Sequence, residues 1–80
     1  MFDNLKQLAK LKEMKDILEK ERKEVEKEGV RVVVNGKMEI EEIKLNPDLD
    51  VVKQEMIIKD CINRAFREIQ QQAAQKMFQM

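Results

Sequence analysis

The 80-residue sequence has no histidine, serine, threonine, tyrosine or tryptophan, one cysteine, one proline and two glycines. Each absence removes a class of chemistry. General acid–base and nucleophilic catalysis need a group poised near neutral pH, and the missing imidazole, phenol and hydroxyl side chains leave almost nothing to supply one. Glu41-Glu42 and Asp48/Asp50 are the candidate paired carboxylates. Neighbouring strand residues point to opposite faces, however, and turn acids usually cap helices, so no enzyme and no catalytic residue is predicted. Cys61 alone builds neither an internal disulfide nor a common Cys/His zinc site, and no metal, cofactor or small-molecule substrate is expected. Within its apolar stretch Cys61 reads as a small buried hydrophobe, and a lone cysteine fits a reducing compartment. A helix end and a turn account for both glycines, which leaves no phosphate-cradling loop. Long apolar runs are also missing. No stretch approaches the roughly 18 residues of a membrane span, and the start of the chain lacks the basic and apolar regions of a signal peptide. A cytoplasmic protein without a membrane partner is expected.

Charge is abundant but balanced, with 16 basic and 16 acidic residues and no net charge. Whole-chain electrostatics therefore select no partner. A single domain over residues 1–80 is predicted, and a chain this short buries only about 60–65% of the surface its unfolded form exposes. Without disulfide or metal, oligomerisation is the remaining means of stabilising so thin a core.

From Asp3, a candidate N-cap, to about Val25 the spacing of Leu5, Leu8, Leu11, Met14, Ile17, Leu18 and Val25 predicts an amphipathic helix. Gly29 ends it. Val30, Val32, Val33 and Val34 are β-branched and predict a strand. Asn35-Gly36 is the preferred pair for a two-residue type I′ turn, and the returning strand runs from Lys37 to Leu45. Such a turn pairs Val34 with Lys37 and gathers Val30, Val32, Val34, Ile43 and Leu45 on one face. Arg31, Val33, Met38, Ile40 and Lys44 then share the other. Ile43 and Leu45 extend past the first strand, so either residues 24–29 are partly extended, making a third strand, or another chain lies there. Asn46-Pro47-Asp48 stops the strand, and Asp48 or Asp50 caps a second, long helix with Ile58, Ile62, Ala65, Phe66, Ile69, Ala73, Met77 and Met80 on one face. The fold expected is α+β: N-terminal helix, antiparallel β-hairpin (possibly a three-stranded sheet) and long C-terminal helix, in an intertwined homodimer. Val33, Met38, Ile40, Ile62, Phe66, Ile69, Ala73 and Met77 are the expected dimer interface, since one chain cannot cover them.

The segment Val30 to Leu49, VRVVVNGKMEIEEIKLNPDL, resembles the YbaB/EbfC nucleoid-associated protein family in its valine-rich strand running into Val34-Asn35-Gly36-Lys37, its alternating strand ending Ile43-Lys44-Leu45 and its Asn46-Pro47-Asp48-Leu49 turn. Cys61-Ile62-Asn63-Arg64-Ala65 is similar to a further pattern of that family. The resemblance implies a bacterial nucleoid protein that dimerises and binds double-stranded DNA with little sequence dependence. Such binding needs a local cluster of cations that reach phosphates. Two are available: Lys6, Lys10, Lys12 and Lys15 on the first helix, and Lys53, Arg64, Arg67 and Gln71 on the second. No aromatic residue is placed to stack on bases, and no helix-turn-helix is present, which disfavours single-strand and base-specific recognition. The alternative is a structural or adaptor module whose exposed helix faces bind another protein.

Overall fold

Valine placement decides where this chain leaves the helix. The computed structural model describes residues 2–78, and the side chains of residues 2–8 and of Met77 are not among what is described. Expectations for the Asp3 cap, for the Leu5, Lys6, Leu8 and Met77 side chains and for Met80 lie outside the described residues. The elements are α1 (Phe2–Lys20), β1 (Arg22–Lys27), β2 (Val30–Asn35), β3 (Ile40–Lys44) and α2 (Val51–Phe78). The fold is α+β, with the strands forming one antiparallel sheet in the order β1-β2-β3.

The first helix stops at Lys20, not near Val25, and the third strand forms from this same chain. On a helix Val25 would be one apolar residue among charges. In β1 it pairs with Val32 and is buried in the core. Helix propensities of Lys and Glu differ from those of strand formers by only tenths of a kcal/mol per residue, whereas fully burying one valine contributes about 1.5 kcal/mol or more. Tertiary burial wins.

The two turns exchange the roles expected from sequence. Lys27 pairs with Val30 across Glu28-Gly29, whose φ values of 49° and 85° are those of a two-residue type I′ turn. Asn35-Gly36 instead opens a three-residue loop. The Met38 N–H donates to the Asn35 carbonyl at 3.0 Å and the Asn35 N–H to the Glu39 carbonyl at 3.0 Å. Met38 takes the left-handed position (φ 65°) that glycine commonly fills in this loop. The Asn35 side-chain oxygen accepts from the N–H groups of Lys37 (2.9 Å) and Glu39 (3.2 Å), which secures the tip.

Register shifts accordingly. Val34 lies opposite Ile40 and not Lys37, and a bulge absorbs the difference before Val32 meets Ile43. Ile43 keeps its expected place on the Val32 face. Ile40 moves to that face too, away from Val33.

Beyond β3, Asn46 organises the approach to α2: its amide donates to the Glu28 carbonyl (2.8 Å), its side-chain oxygen accepts from Asp48 N–H (3.0 Å), and its own N–H reaches Gln54 (2.7 Å). Asp50 is the cap, accepting from Lys53 N–H at 2.9 Å. Ile57, Cys61, Ala65, Ile69 and Ala73 are buried along α2, and all but Ala73 join Val25, Val30, Val32 and Val34 in one core cluster. Their four-residue spacing advances about 40° per step around a 3.6-residue helix, so the buried stripe winds with the twisted sheet.

Cover is incomplete. The radius of gyration is 16.6 Å and the longest dimension 59 Å, against about 12 Å for a compact chain of this length. On α1, Leu11 is 60% exposed and Met14, Ile17 and Leu18 are only half-buried.

One buried charge ties the ends together. Glu21, 3% exposed, joins α1 to β1 and holds the side chains of Lys76 and Gln72 from the last turns of α2. The Lys76 hydrogen bond holds its carboxyl below the ordinary carboxylate value, against the opposing effect of burial. A lowered folded pKa contributes stability that is present above the unfolded value of 4.5 and is lost as pH falls through the folded value. Lys76→Ala is therefore expected to cost about 1–3 kcal/mol at pH 7. In denaturant titrations the difference from wild type should shrink on acidification to about pH 3. A difference that stays constant between those pH values would show that the pair adds nothing.

Candidate nucleic-acid interface

Strand β1 runs beneath α2, and its alternation sends Lys23, Val25 and Lys27 toward the helix, since these residues pair with the buried Val34, Val32 and Val30. Val25 enters the core. Lys23 lies 3.8 Å from Glu68 of α2. Lys27 lines one lip of a cleft of about 320 Å³ that is lined also by the buried Val25 and Cys61 and by Asp60, Asn63, Arg64 and Arg67 of α2. Arg64, Arg67 and Gln71 follow one another at three- and four-residue spacing, so they share one exposed flank of α2.

Pairing within this flank is uneven. Arg64 donates from Nε to Glu68 at 3.1 Å. That bond is the largest reason the Glu68 carboxyl lies below its ordinary value, with Lys23 and Arg67 adding to it. Lys53 lies 3.0 Å from Glu28, so it serves the strand turn and stands well away from Arg64 along the helix. Among the described residues, Arg67 and Lys27 have no carboxylate within 4 Å, which leaves their charge available to a ligand. At the cleft floor Cys61 is a buried free thiol whose pKa burial pushes up, as suits a small core residue.

The first predicted cluster is less concentrated. Lys10, Lys12 and Lys15 are exposed on α1, and Lys15 lies 3.9 Å from Glu19. Their spacing spreads them around the helix, with Lys12 and Lys15 on a different side from Lys10.

The far side of the sheet is electrostatically opposite. Arg31 donates Nε and Nη2 to Glu24 at 2.6 and 3.2 Å and Nη1 to Glu42 at 3.3 Å, while Arg22 donates to Glu41 at 2.8 Å. These bonds cross all three strands, and Arg31 has its pKa raised, first by Glu24. Arg22, Arg31 and Lys44 face Glu24, Glu26, Glu41 and Glu42 there, so cations are consumed and carboxylates are in excess.

The predicted interface residues separate. Ile69 and Ala73 are buried inside the chain's own core. Val33 stands on the charged sheet face between Glu24 and Glu42, and Met38 is at the hairpin tip. Ile62 and Phe66 are half-buried on the α2 flank opposite Arg64 and Arg67, together with Ile58. Because α2 crosses β1 and β2, that flank looks toward β3, where Ile40 (43% exposed), Ile43 (42%) and Leu45 (52%) are uncovered on the core side of the sheet. An open groove of about 400 Å³ runs along Glu55, Ile58, Lys59, Ile62 and Asn63.

Sequence reasoning missed Lys23 and Lys27 in the cationic cluster and Ile43, Leu45 and Ile58 in the apolar trough. A period-two signal, Lys23-Val25-Lys27, was present. It was masked by the surrounding Lys/Glu alternation, which suits a solvated helix equally well.

Among the described residues no helix is long and apolar enough to cross a membrane. No solved structure matches the chain significantly. A protein of Dictyoglomus thermophilum described as a nucleoid-associated protein is 35% identical over 82 residues, an alignment covering 94% of this chain and 78% of that protein. The profile of the YbaB/EbfC DNA-binding family matches residues 1–80, and the chain belongs to that family.

Proposed function

We propose that this protein binds double-stranded DNA with little sequence preference as a homodimer, in the manner of a nucleoid-associated protein of the cytoplasm and nucleoid. The observation that carries the reading is the two-sided character of α2: Arg64, Arg67 and Gln71 on one flank, Ile58, Ile62 and Phe66 on the other. Duplex phosphates attract the basic flank, and the carboxylate-rich sheet face turns away from them. Exposed Lys10, Lys12 and Lys15 add cations on α1. Contacts of this kind position a protein on the backbone and carry little sequence information. The apolar flank and the uncovered side of β3 receive the same surface of a second copy, a two-fold arrangement that places two basic flanks on one DNA and multiplies their weak individual affinities.

Fluorescence anisotropy with two unrelated duplexes over a salt series tests the reading. Similar affinity for both and a steep fall with salt are expected. Arg64→Ala with Arg67→Ala removes two contacts from each copy of the dimer and should lower the slope of log K against log salt by about 3 to 4, since each phosphate contact contributes about 0.9. Absence of duplex binding at low salt would overturn the proposal and favour an adaptor module that uses the same apolar flank for a protein partner.

A further inference from the structure

The cleft between β1 and α2 has a composition that an ordinary helix surface does not require. Its two lips come from different elements, Lys27 from an edge strand and Arg64, Asn63 and Arg67 from the helix, and they converge on one concavity. Two of its three cations have no carboxylate partner among the described residues. The floor is Val25 and the Cys61 thiol, which burial keeps protonated, so nothing beneath the cations repels an anion. Asp60 on the rim is the single acidic group in the lining.

We infer that this cleft seats one phosphodiester group of the DNA backbone, with Lys27 and Arg67 as its two cationic jaws and the Asn63 amide as a neutral donor. The inference rests on the duplex-binding reading above and adds a strand residue to a surface otherwise made of helices. A phosphate held from two sides is constrained in position as well as attracted, because a strand and a helix fixed by the shared Val25 core cannot both follow a displaced ligand. Asp60 opposes the phosphate and lowers affinity, which keeps binding reversible.

The test uses the full chain and the same anisotropy titration with Lys27→Gln and Asp60→Asn, each checked for an unchanged thermal midpoint. Lys27→Gln, which removes one contact from each copy of the dimer, is expected to weaken duplex binding about 10-fold and to lower the salt slope by about 2. Asp60→Asn, which removes a repulsion and does not depend on Lys27 folding effects, should tighten binding about 2- to 5-fold. Inorganic phosphate is titrated in parallel by NMR, following the Asn63 side-chain amide. Perturbation of that amide by duplex in wild type, and its loss in Lys27→Gln, would support the seat. Wild-type binding with an unchanged slope in Lys27→Gln and unchanged affinity in Asp60→Asn would overturn the seat while leaving duplex binding intact. Perturbation by inorganic phosphate but not by duplex would also overturn it, and failure of wild type to bind duplex at all would remove the functional reading beneath it.

Discussion

Gly36→Ala is expected to lower stability by about 2–4 kcal/mol, through overpacking and loss of a backbone hydrogen bond. In a chain of this size that corresponds to a fall of roughly 10–25 °C in thermal midpoint. A Cβ at this position would lie 1.7 Å from the Leu18 carbonyl oxygen and 2.6 Å from its carbon, both backbone atoms at the end of α1. Neither can rotate aside. The Gly36 N–H also donates to the Glu21 carbonyl at 3.1 Å, and the Glu21 N–H to the Leu18 carbonyl at 3.2 Å, so the hairpin tip is fastened to the α1–β1 junction. Displacing α1 to admit a methyl would break this fastening and loosen the buried Glu21 carboxylate. Gly36→Asn separates the two explanations of this glycine. A glycine kept for a left-handed turn conformation would tolerate asparagine, but among the glycines only Gly29 has positive φ; close approach at Gly36 rejects any Cβ, so asparagine should be as damaging as alanine. Circular dichroism melts with midpoints within 2–3 °C of wild type, about half a kcal/mol, would show that α1 does not rest on the tip.

Ile62→Asp is expected to convert a dimer to a folded monomer and to cost about 100-fold or more in duplex affinity. Ile62 is half-buried on the flank that looks toward β3. Covering half-exposed isoleucines such as Ile40 and Ile43 contributes roughly 1 kcal/mol each, so several on both copies supply a specific association. A carboxylate in that contact is desolvated without a partner in the dimer and remains hydrated in the monomer. Affinity falls because two basic flanks no longer share one ligand. Light scattering during size exclusion reads the mass, and Ile43→Asp, on a different element of the same trough, should have the same effect. A wild type that elutes with the mass of one chain would overturn the dimer. Monomeric variants with undiminished DNA affinity would detach dimerisation from binding.

The legible parts of this fold are those where local chemistry and burial agree. Val30, Val32 and Val34 alternate on a β-branched strand, and the tertiary structure buries that same face. Asn46-Pro47 stops the sheet because proline cannot donate to a ladder, and Asp50 caps the helix that follows. Arg64, Arg67 and Gln71 share a helix face by spacing alone. Illegible parts are those where two local structures cost nearly the same. Arg22–Lys27 has a composition that a solvated helix accepts, and only pairing of Val25 with Val32 makes it a strand. Burial along α2 is hard to read for a related reason: periodicity ranks positions by face but does not say how far a sheet extends beneath a helix. Ile69 is buried in the cluster with the β1 and β2 valines and Ala73 is buried outside that cluster, while Ile58 and Ile62, on the same apolar helix, are only half-buried beside it.

The amino-acid sequence by itself determined that the chain makes two helices around a valine-rich antiparallel sheet, lacks hydroxyl (Ser, Thr, Tyr) and imidazole side chains, and sets Arg64, Arg67 and Gln71 on one face of the second helix. Those properties follow from residue type and spacing, which act over a few residues. Only the tertiary structure decided which turn is type I′, why Gly36 must be glycine, and that Lys27 and Arg67 line one cleft. The type I′ turn follows from burial of Val25 beside Val32, and the other two depend on contacts between segments far apart in the chain, Gly36 against Leu18 and β1 beneath α2. Such contacts are selected by burial of the whole core, and no local window contains both partners.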